Sequence, residues 1–346
     1  MKKVPLSASY IHRLQVKPNY PKYISLHWAD YIELLCLANL DGELSEADII
    51  DRFSERERDL REGDPTDIEK LKLFEEESGT ATRRAEINDQ WNIQLEDWFK
   101  VIRIRASNYG VAYPFEVTEN EIRRKSVLTS DHKIYIYLLL CSNLYLFDKR
   151  SQITLTSAFE IICYEALKAI LPTHAEIHLF GSNPLNSKGR YNGTLSFWDK
   201  MSKLASDLCE QVNSRVKESD YPKKNKGDDG LDIVAWIPVG DSLPTMPIFF
   251  GQCACTTDWV TKQNDSAFHA WSNKINFTNY INNLIFIPFC YRGADGNWFK
   301  IGDIRLSFLL DRKRIMHNLG TGFLGLKSLA AATIIDEIIA AREEVV

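Results

Sequence analysis

Apolar residues recur at helical spacing through the first part of the chain. In Leu26-His27-Trp28-Ala29-Asp30-Tyr31-Ile32-Glu33-Leu34-Leu35-Cys36-Leu37, residues Trp28, Tyr31 or Ile32, and Leu35 share one face. Asp41-Gly42 stops this helix, and Ser45-Glu46-Ala47-Asp48 opens the next with a variant of the capping box. From Asp51 to Glu86 both charge signs are dense, with breaks at Gly63-Asp64-Pro65 and Gly79-Thr80, which reads as solvated helices or linker. Trp91, Trp98 and Phe99 restore an amphipathic pattern as far as Ile104, and at least one more helix lies within residues 119 to 147. Residues 1–150 are therefore expected to form a mostly helical domain that serves recognition or partner docking.

The period then changes. A helix is expected from Ser157 to Leu171, capped by Thr156 or Ser157 and ended by Pro172, with Phe159, Ile162 or Cys163, Ala166 or Leu167, and Ile170 as its core stripe. Strands are expected at Ala175 to Phe180, Leu231 to Val239, Met246 to Cys255 and Asn283 to Tyr291, the last marked as an edge by Pro288. A long connection, residues 181 to 226, holds a helix near Phe197 to Val212. Trp259, Phe268 and Trp271 anchor a helix or extended loop, Asp295-Gly296-Asn297 makes a hairpin turn, and a closing helix runs from Ser328 to Glu344. The order helix, strand, strand, strand, helix, strand predicts an α+β (α/β) fold, with a mixed central sheet flanked by helices in residues 151–346.

Length and composition agree with two domains. The chain has 346 residues, 45% hydrophobic and 26% charged, as an ordinary soluble protein does. Its beginning lacks the basic and apolar regions of a signal peptide, and the apolar run from Ile134 to Phe147 is interrupted and too short to cross a bilayer. A cytoplasmic protein with no membrane partner is expected. The formal net charge of -5 argues against a surface that coats nucleic acid throughout, while leaving room for a local basic track. Seven cysteines, with neither disulfide density nor zinc spacing, read as small core residues.

Two positions stand out against this background. Asp232 begins one apolar strand in Gly227-Asp228-Asp229-Gly230-Leu231-Asp232-Ile233-Val234-Ala235-Trp236, and Gln252 interrupts the next in Ile248-Phe249-Phe250-Gly251-Gln252-Cys253-Ala254-Cys255. If the two strands form a hairpin, the Asp carboxylate and the Gln carbonyl come together as hard oxygen donors suited to Mg²⁺ or Mn²⁺. Glu160 on the preceding helix would complete an acidic cluster, whereas Glu165 lies well round that helix from it. The same residues also have plainer readings: Asp232 as a strand cap, Gln252 as a partner for buried backbone, Glu160 as a first-turn carboxylate, and Asp228 and Asp229 as turn residues. Lys223, Lys224 and Lys226 just before the site suit a phosphate backbone or a solvated loop. A calcium loop at Asn39-Leu40-Asp41-Gly42 is excluded, because its first and twelfth positions fall on Leu37 and Asp48. A DNA-reading helix pair at residues 26 to 62 would have Glu46, Asp48 and Asp51 on its second helix, the wrong sign for phosphates.

Phe159-Glu160, Gly230-Leu231-Asp232-Ile233-Val234-Ala235 and Phe249-Phe250-Gly251-Gln252-Cys253-Ala254 together resemble the restriction-endonuclease-like PD-(D/E)XK superfamily, in its Mrr-like branch, over residues 155 to 291. The resemblance implies a metal-dependent DNA endonuclease with Glu160, Asp232 and Gln252 as catalytic and metal-binding residues. Where that family places a lysine this chain has Ala254, and Lys262 is the nearest cation to replace it. The motif combination is also similar to bacterial proteins associated with phage defence, which implies other protein subunits as partners. A nuclease-fold subunit without chemistry, acting as an interaction module, is the alternative.

Overall fold

The computed structural model describes the backbone of residues 6–15, 24–52, 80–222 and 224–343, and their side chains except at 7, 8 and 80–92. Most of the charge-rich stretch, the side chain of Trp91, and Lys223 lie outside the described residues. The chain divides into two compact units: Met1–Leu128 with Arg292–Phe299 and Asp336–Val346, and Thr129–Tyr291 with Lys300–Ile335.

In the first unit, α1 (Leu6–Gln15), α2 (Ser25–Ala38) and α3 (Thr80–Tyr109) are joined by β1 (Glu43–Ser45), β2 (Phe115–Val117) and β3 (Glu121–Arg124). The strands form a small antiparallel sheet in the order β1-β3-β2. Sequence periodicity missed this sheet because its strands are short and carry Glu43, Glu116, Glu121, Arg123 and Arg124, so no run of alternation builds up. Ser45 caps the segment that follows: its hydroxyl accepts from the Asp48 N–H (3.2 Å), and the Asp48 carboxylate accepts from the Ser45 N–H (2.8 Å). Helix α2 is buried almost all round instead of along one stripe. Its two acids are met by Arg105, which reaches Asp30 at 2.7 Å and Glu33 at 2.9 Å, while the Tyr113 hydroxyl donates to Glu33 at 2.8 Å. Trp28 stacks on Trp98 with ring centroids 4.5 Å apart.

The second unit starts at Thr129, and residue 150, the expected end of the helical domain, falls inside it. Thr129 caps α4 (Ser130–Cys141) in a capping box with His132, and Asp148 caps α5 (Lys149–Ile170) by accepting from the Ser151 N–H. Helix α5 thus begins at Lys149, not at Ser157. The apolar run after Ile134 packs α4 against α5, with the Tyr137 hydroxyl donating to the Leu155 carbonyl at 2.8 Å.

Then follow β4 (Glu176–Leu179), α6 (Phe197–Asp207), β5 (Gln211–Val212), β6 (Ile233–Trp236), β7 (Ile248–Cys253), α7 (Trp259–Lys262), α8 (Phe268–Trp271), β8 (Ile275–Asn276), β9 (Ile281–Phe286), β10 (Phe308–Leu310), α9 (Arg312–Leu319) and α10 (Ala331–Ala340). The central sheet has the order β10-β9-β7-β6-β4. Strands β4, β6 and β7 are antiparallel neighbours, whereas β7, β9 and β10 run parallel. This is an α+β fold with a mixed central sheet. The crossover from β7 to β9 needs a longer connection than a hairpin, and α7 and α8 supply it. Strand β9 is internal and Pro288 lies beyond its end; the edge on that side is β10, whose three residues are too few to register as a strand in the sequence.

One face of the sheet is covered by a core containing Phe180, Tyr191, Phe197, Met201, Leu204, Val234, Trp236, Ile248, Phe250 and Trp271. Val234 and Trp236 on β6, like Ile248 and Phe250 on β7, enter it at every second position, as strand geometry requires. Asp232 and Gln252 are the next positions of the same parity, at the end where this apolar face runs out.

Candidate active site

Asp232 stands immediately before β6. Its N–H donates to the Gly251 carbonyl at 2.9 Å, its own carbonyl accepts from the Phe180 N–H at 2.7 Å, and its Oδ2 accepts from the Cys253 N–H at 2.6 Å. Continuing the register Ile233↔Gly251 brings Asp232 level with Gln252. Asp232 is only 9% exposed. Burial pushes its carboxyl well above the usual range, the charges of Glu160 and Asp228 push it further, and the Cys253 N–H and the Lys262 charge oppose them.

Gln252 is 8% exposed, and its buried Oε1 has no hydrogen-bond partner. Buried carbonyl oxygens are normally satisfied, so an orphaned one beside a buried carboxylate calls for an explanation. This is the second side chain that the sequence pattern singles out, and it does not satisfy buried backbone through that oxygen.

Glu160 comes from α5. The Asn183 amide donates to its Oε2 at 2.6 Å and to the Ser157 carbonyl at 3.0 Å, so one side chain fixes the carboxylate to its own helix. Burial raises the Glu160 carboxyl to about 7; the Asn183 hydrogen bond works against this and the charge of Asp228 adds to it. Because α5 starts at Lys149, Glu160 lies well inside the helix, and a dipole effect confined to the first turn does not account for it.

Lys262 closes α7, close enough for its charge to act on Asp232, Asp258 and Asp265. Ala254 is fully buried, its N–H bonded to the Phe286 carbonyl at 2.9 Å. The segment carrying Lys262 is fastened by its neighbour Gln263, which is 1% exposed. Gln263 donates to the Asp303 carbonyl at 2.8 Å and accepts from the Arg305 N–H at 3.0 Å, and its own carbonyl accepts from the Asn283 amide at 2.8 Å.

Glu160, Asp232, Gln252 and Lys262 are therefore gathered at one end of β6 and β7. Lys224 and Lys226 are exposed on the loop ahead of Asp228, and Lys223 is outside the described residues. Three contributors escaped the sequence reading. Asn183 sits in the long connection without any pattern to mark it. Lys200, with no solvent exposure, donates to the carbonyls of Lys226 (2.9 Å) and Gly227 (2.7 Å). Asp228 was legible only as a turn residue. Cys141, Cys163 and Cys255 are buried packing residues, and burial raises Cys163, Cys253 and Cys255 above the usual thiol range.

Among the described residues no three His, Cys, Asp or Glu side chains are gathered so as to hold a metal ion by themselves. The donor set at Asp232 is of another composition, a carboxylate and an amide carbonyl, with water left to complete a coordination shell. Mg²⁺, which keeps several waters and takes one or two carboxylates, fits such a set. In comparisons with known proteins no family model, curated protein or solved structure matches the chain.

Proposed function

We propose that this protein is a metal-dependent nuclease of the PD-(D/E)XK type that hydrolyses phosphodiester bonds in DNA. The observation that carries the proposal is the buried, unpartnered Oε1 of Gln252 standing level with the buried carboxylate of Asp232. The succession α5, β4, β6, β7, α7 with α8, and β9 agrees with the order helix, strand, strand, strand, helix, strand read from the sequence.

Asp232 and Gln252 would hold Mg²⁺ or Mn²⁺, with Glu160 as the further carboxylate. The ion's chemistry there is activation of water, neutralisation of a phosphate oxygen and stabilisation of the leaving alkoxide. The chain's own part is positional and electrostatic. The Cys253 N–H fixes the Asp232 carboxylate, Asn183 orients Glu160, and Lys262 brings toward Asp232 the positive charge that Ala254 does not provide. Lys223, Lys224 and Lys226 would draw in the phosphate backbone. Among the described residues no helix is long and apolar enough to cross a membrane. The reading assigns the protein to the cytoplasm, to phage defence or DNA processing, with other subunits of that machinery as partners.

Ala254 favours a second reading, a nuclease fold that kept the site and lost turnover. Incubation of the full chain with plasmid DNA and Mg²⁺ or Mn²⁺, beside Asp232→Ala and Lys262→Ala, separates the two. Cleavage should vanish in Asp232→Ala and fall by about a hundredfold in Lys262→Ala, the usual cost of one electrostatic stabiliser. Metal binding without cleavage selects the interaction module. Neither binding nor cleavage overturns the metal site altogether.

A further inference from the structure

We infer that Asp228 belongs to the divalent-cation site, as the carboxylate that accepts hydrogen bonds from the water shell of the ion held by Asp232 and Gln252. The inference rests on the proposed metal site and adds a residue to it.

Asp228 and Asp229 are neighbours in one turn, yet the structure gives them opposite surroundings. Asp229, at φ 56°, turns to Lys274, whose Nζ lies 2.7 Å from its carboxylate, and its side chain is 54% exposed. Asp228 turns inward, where its charge reaches both Asp232 and Glu160. Its Oδ1 accepts from the Gly230 N–H at 3.1 Å, and no hydrogen bond among the described residues uses its Oδ2.

Three features put that carboxylate in place. Lys200 grips the two carbonyls immediately before it. Gly181, at φ +133°, leaves room where a Cβ would come within 2.7 Å of Asp228 Oδ2. Gly230, at φ +78°, closes the turn where a Cβ would lie 2.4 Å from the Asp265 Cβ, so only glycine serves there on both counts. A buried ammonium and two obligatory glycines are more than a solvated turn requires. They hold a carboxylate, with one oxygen uncommitted, against two others that its charge disfavours.

The charge of Lys200 is felt at Asp228, but its ammonium gives its hydrogen bonds to backbone carbonyls and leaves Asp228 Oδ2 without a donor among the described residues. The independent sign of a ligand is Gln252, more than nine-tenths buried, whose Oε1 is unpartnered and whose place on β7 continues the register Ile233↔Gly251 to Asp232. A hydrated cation answers both, since it takes the Gln252 oxygen and lends water protons to Asp228.

The test is Mn²⁺ titration of the full chain, followed by electron paramagnetic resonance, with Mg²⁺ competition. Asp228→Asn should weaken Mn²⁺ binding by about tenfold to a hundredfold, as loss of an outer-shell partner does. Asp229→Asn removes the same charge from the same turn but an exposed ion pair, and should change affinity by about twofold or less. Gly181→Ala, which pushes on Asp228 without altering charge, should also weaken binding, and it decides the matter if Asp228→Asn fails to give a native near-ultraviolet dichroism spectrum. Equal affinities in wild type, Asp228→Asn and Gly181→Ala overturn the inference while leaving the metal site standing. A wild type that binds no Mn²⁺ overturns the site itself.

Discussion

Glu160→Gln separates a carboxyl group kept for chemistry from one kept for packing. In the metal-free protein the Glu160 carboxyl is raised from 4.5 to about 7, first by burial and then by Asp228. An acid whose folded value exceeds its unfolded one holds more protons when folded, so stability must fall as pH rises between those two values. Below about 4.5 the folded and unfolded groups are both neutral and the carboxyl exerts no penalty; above about 7 the penalty is complete. Moving the group from 4.5 to about 7 corresponds to a penalty of at most about 3 kcal/mol. Glutamine keeps the shape and leaves an oxygen to accept from Asn183 Nδ2. Urea unfolding in the presence of a chelator should therefore give coincident midpoints for wild type and Glu160→Gln at pH 4.5. The variant should become the more stable by up to about 3 kcal/mol at pH 8. Mg²⁺ should raise wild type at pH 8 and help the variant less, because binding favours the ionised carboxyl. A midpoint difference that stays constant from pH 5 to pH 8 would refute the reasoning, since it would mean that Glu160 titrates alike in both states.

Two further changes probe the neighbouring logic. Gln252→Leu removes a buried acceptor that has no partner, so the metal-free protein should gain about 1–2 kcal/mol in urea unfolding and lose its thermal shift with Mn²⁺; a loss of stability without metal would mean that the oxygen is satisfied after all. Arg105→Met leaves Asp30 and Glu33 buried without their cation and should cost about 3–5 kcal/mol, read as a lower unfolding midpoint for the first unit.

The parts of this molecule that were legible in the sequence are those where one local rule decides the outcome. Ser45 and Pro172 mark helix ends through hydrogen bonds or ring geometry that act within a few residues, and the runs at β4, β6, β7 and β9 alternate or stay apolar long enough to register. The strands that escaped, β1, β2, β3, β5, β8 and β10, have two to four residues each and exist through their neighbours. Helix α5 was expected to start at Ser157 because Thr156 and Ser157 are good caps. Tertiary packing of Leu155 beneath Tyr137 extends the helix back to Asp148, an equally good one. At α2, helical periodicity places Asp30 and Glu33 toward solvent, and only the distant Arg105 and Tyr113 make their burial possible.

The candidate site divides in the same way. Asp232 and Gln252 are conspicuous because they violate local rules, an acid at the mouth of an apolar strand and an amide within one, and such violations concentrate where function opposes stability. Asn183, Lys200 and Gly181 violate nothing locally. Each is ordinary in its own segment and acquires a role only when β4 and β6 pair and bring residues 181–200 against the Asp228 turn. Lys262 is intermediate: its proximity in sequence to Ala254 suggested it, but it reaches Asp232 only because Gln263 is clamped between Asn283 and the 303–305 backbone. A cation one strand position from the acid can be read from a motif, whereas a cation delivered by a helical crossover depends on the crossover's own buried contacts. The proposed turnover would therefore depend on Gln263 and Asn283, placed to hold the segment that carries Lys262, as well as on Lys262 itself.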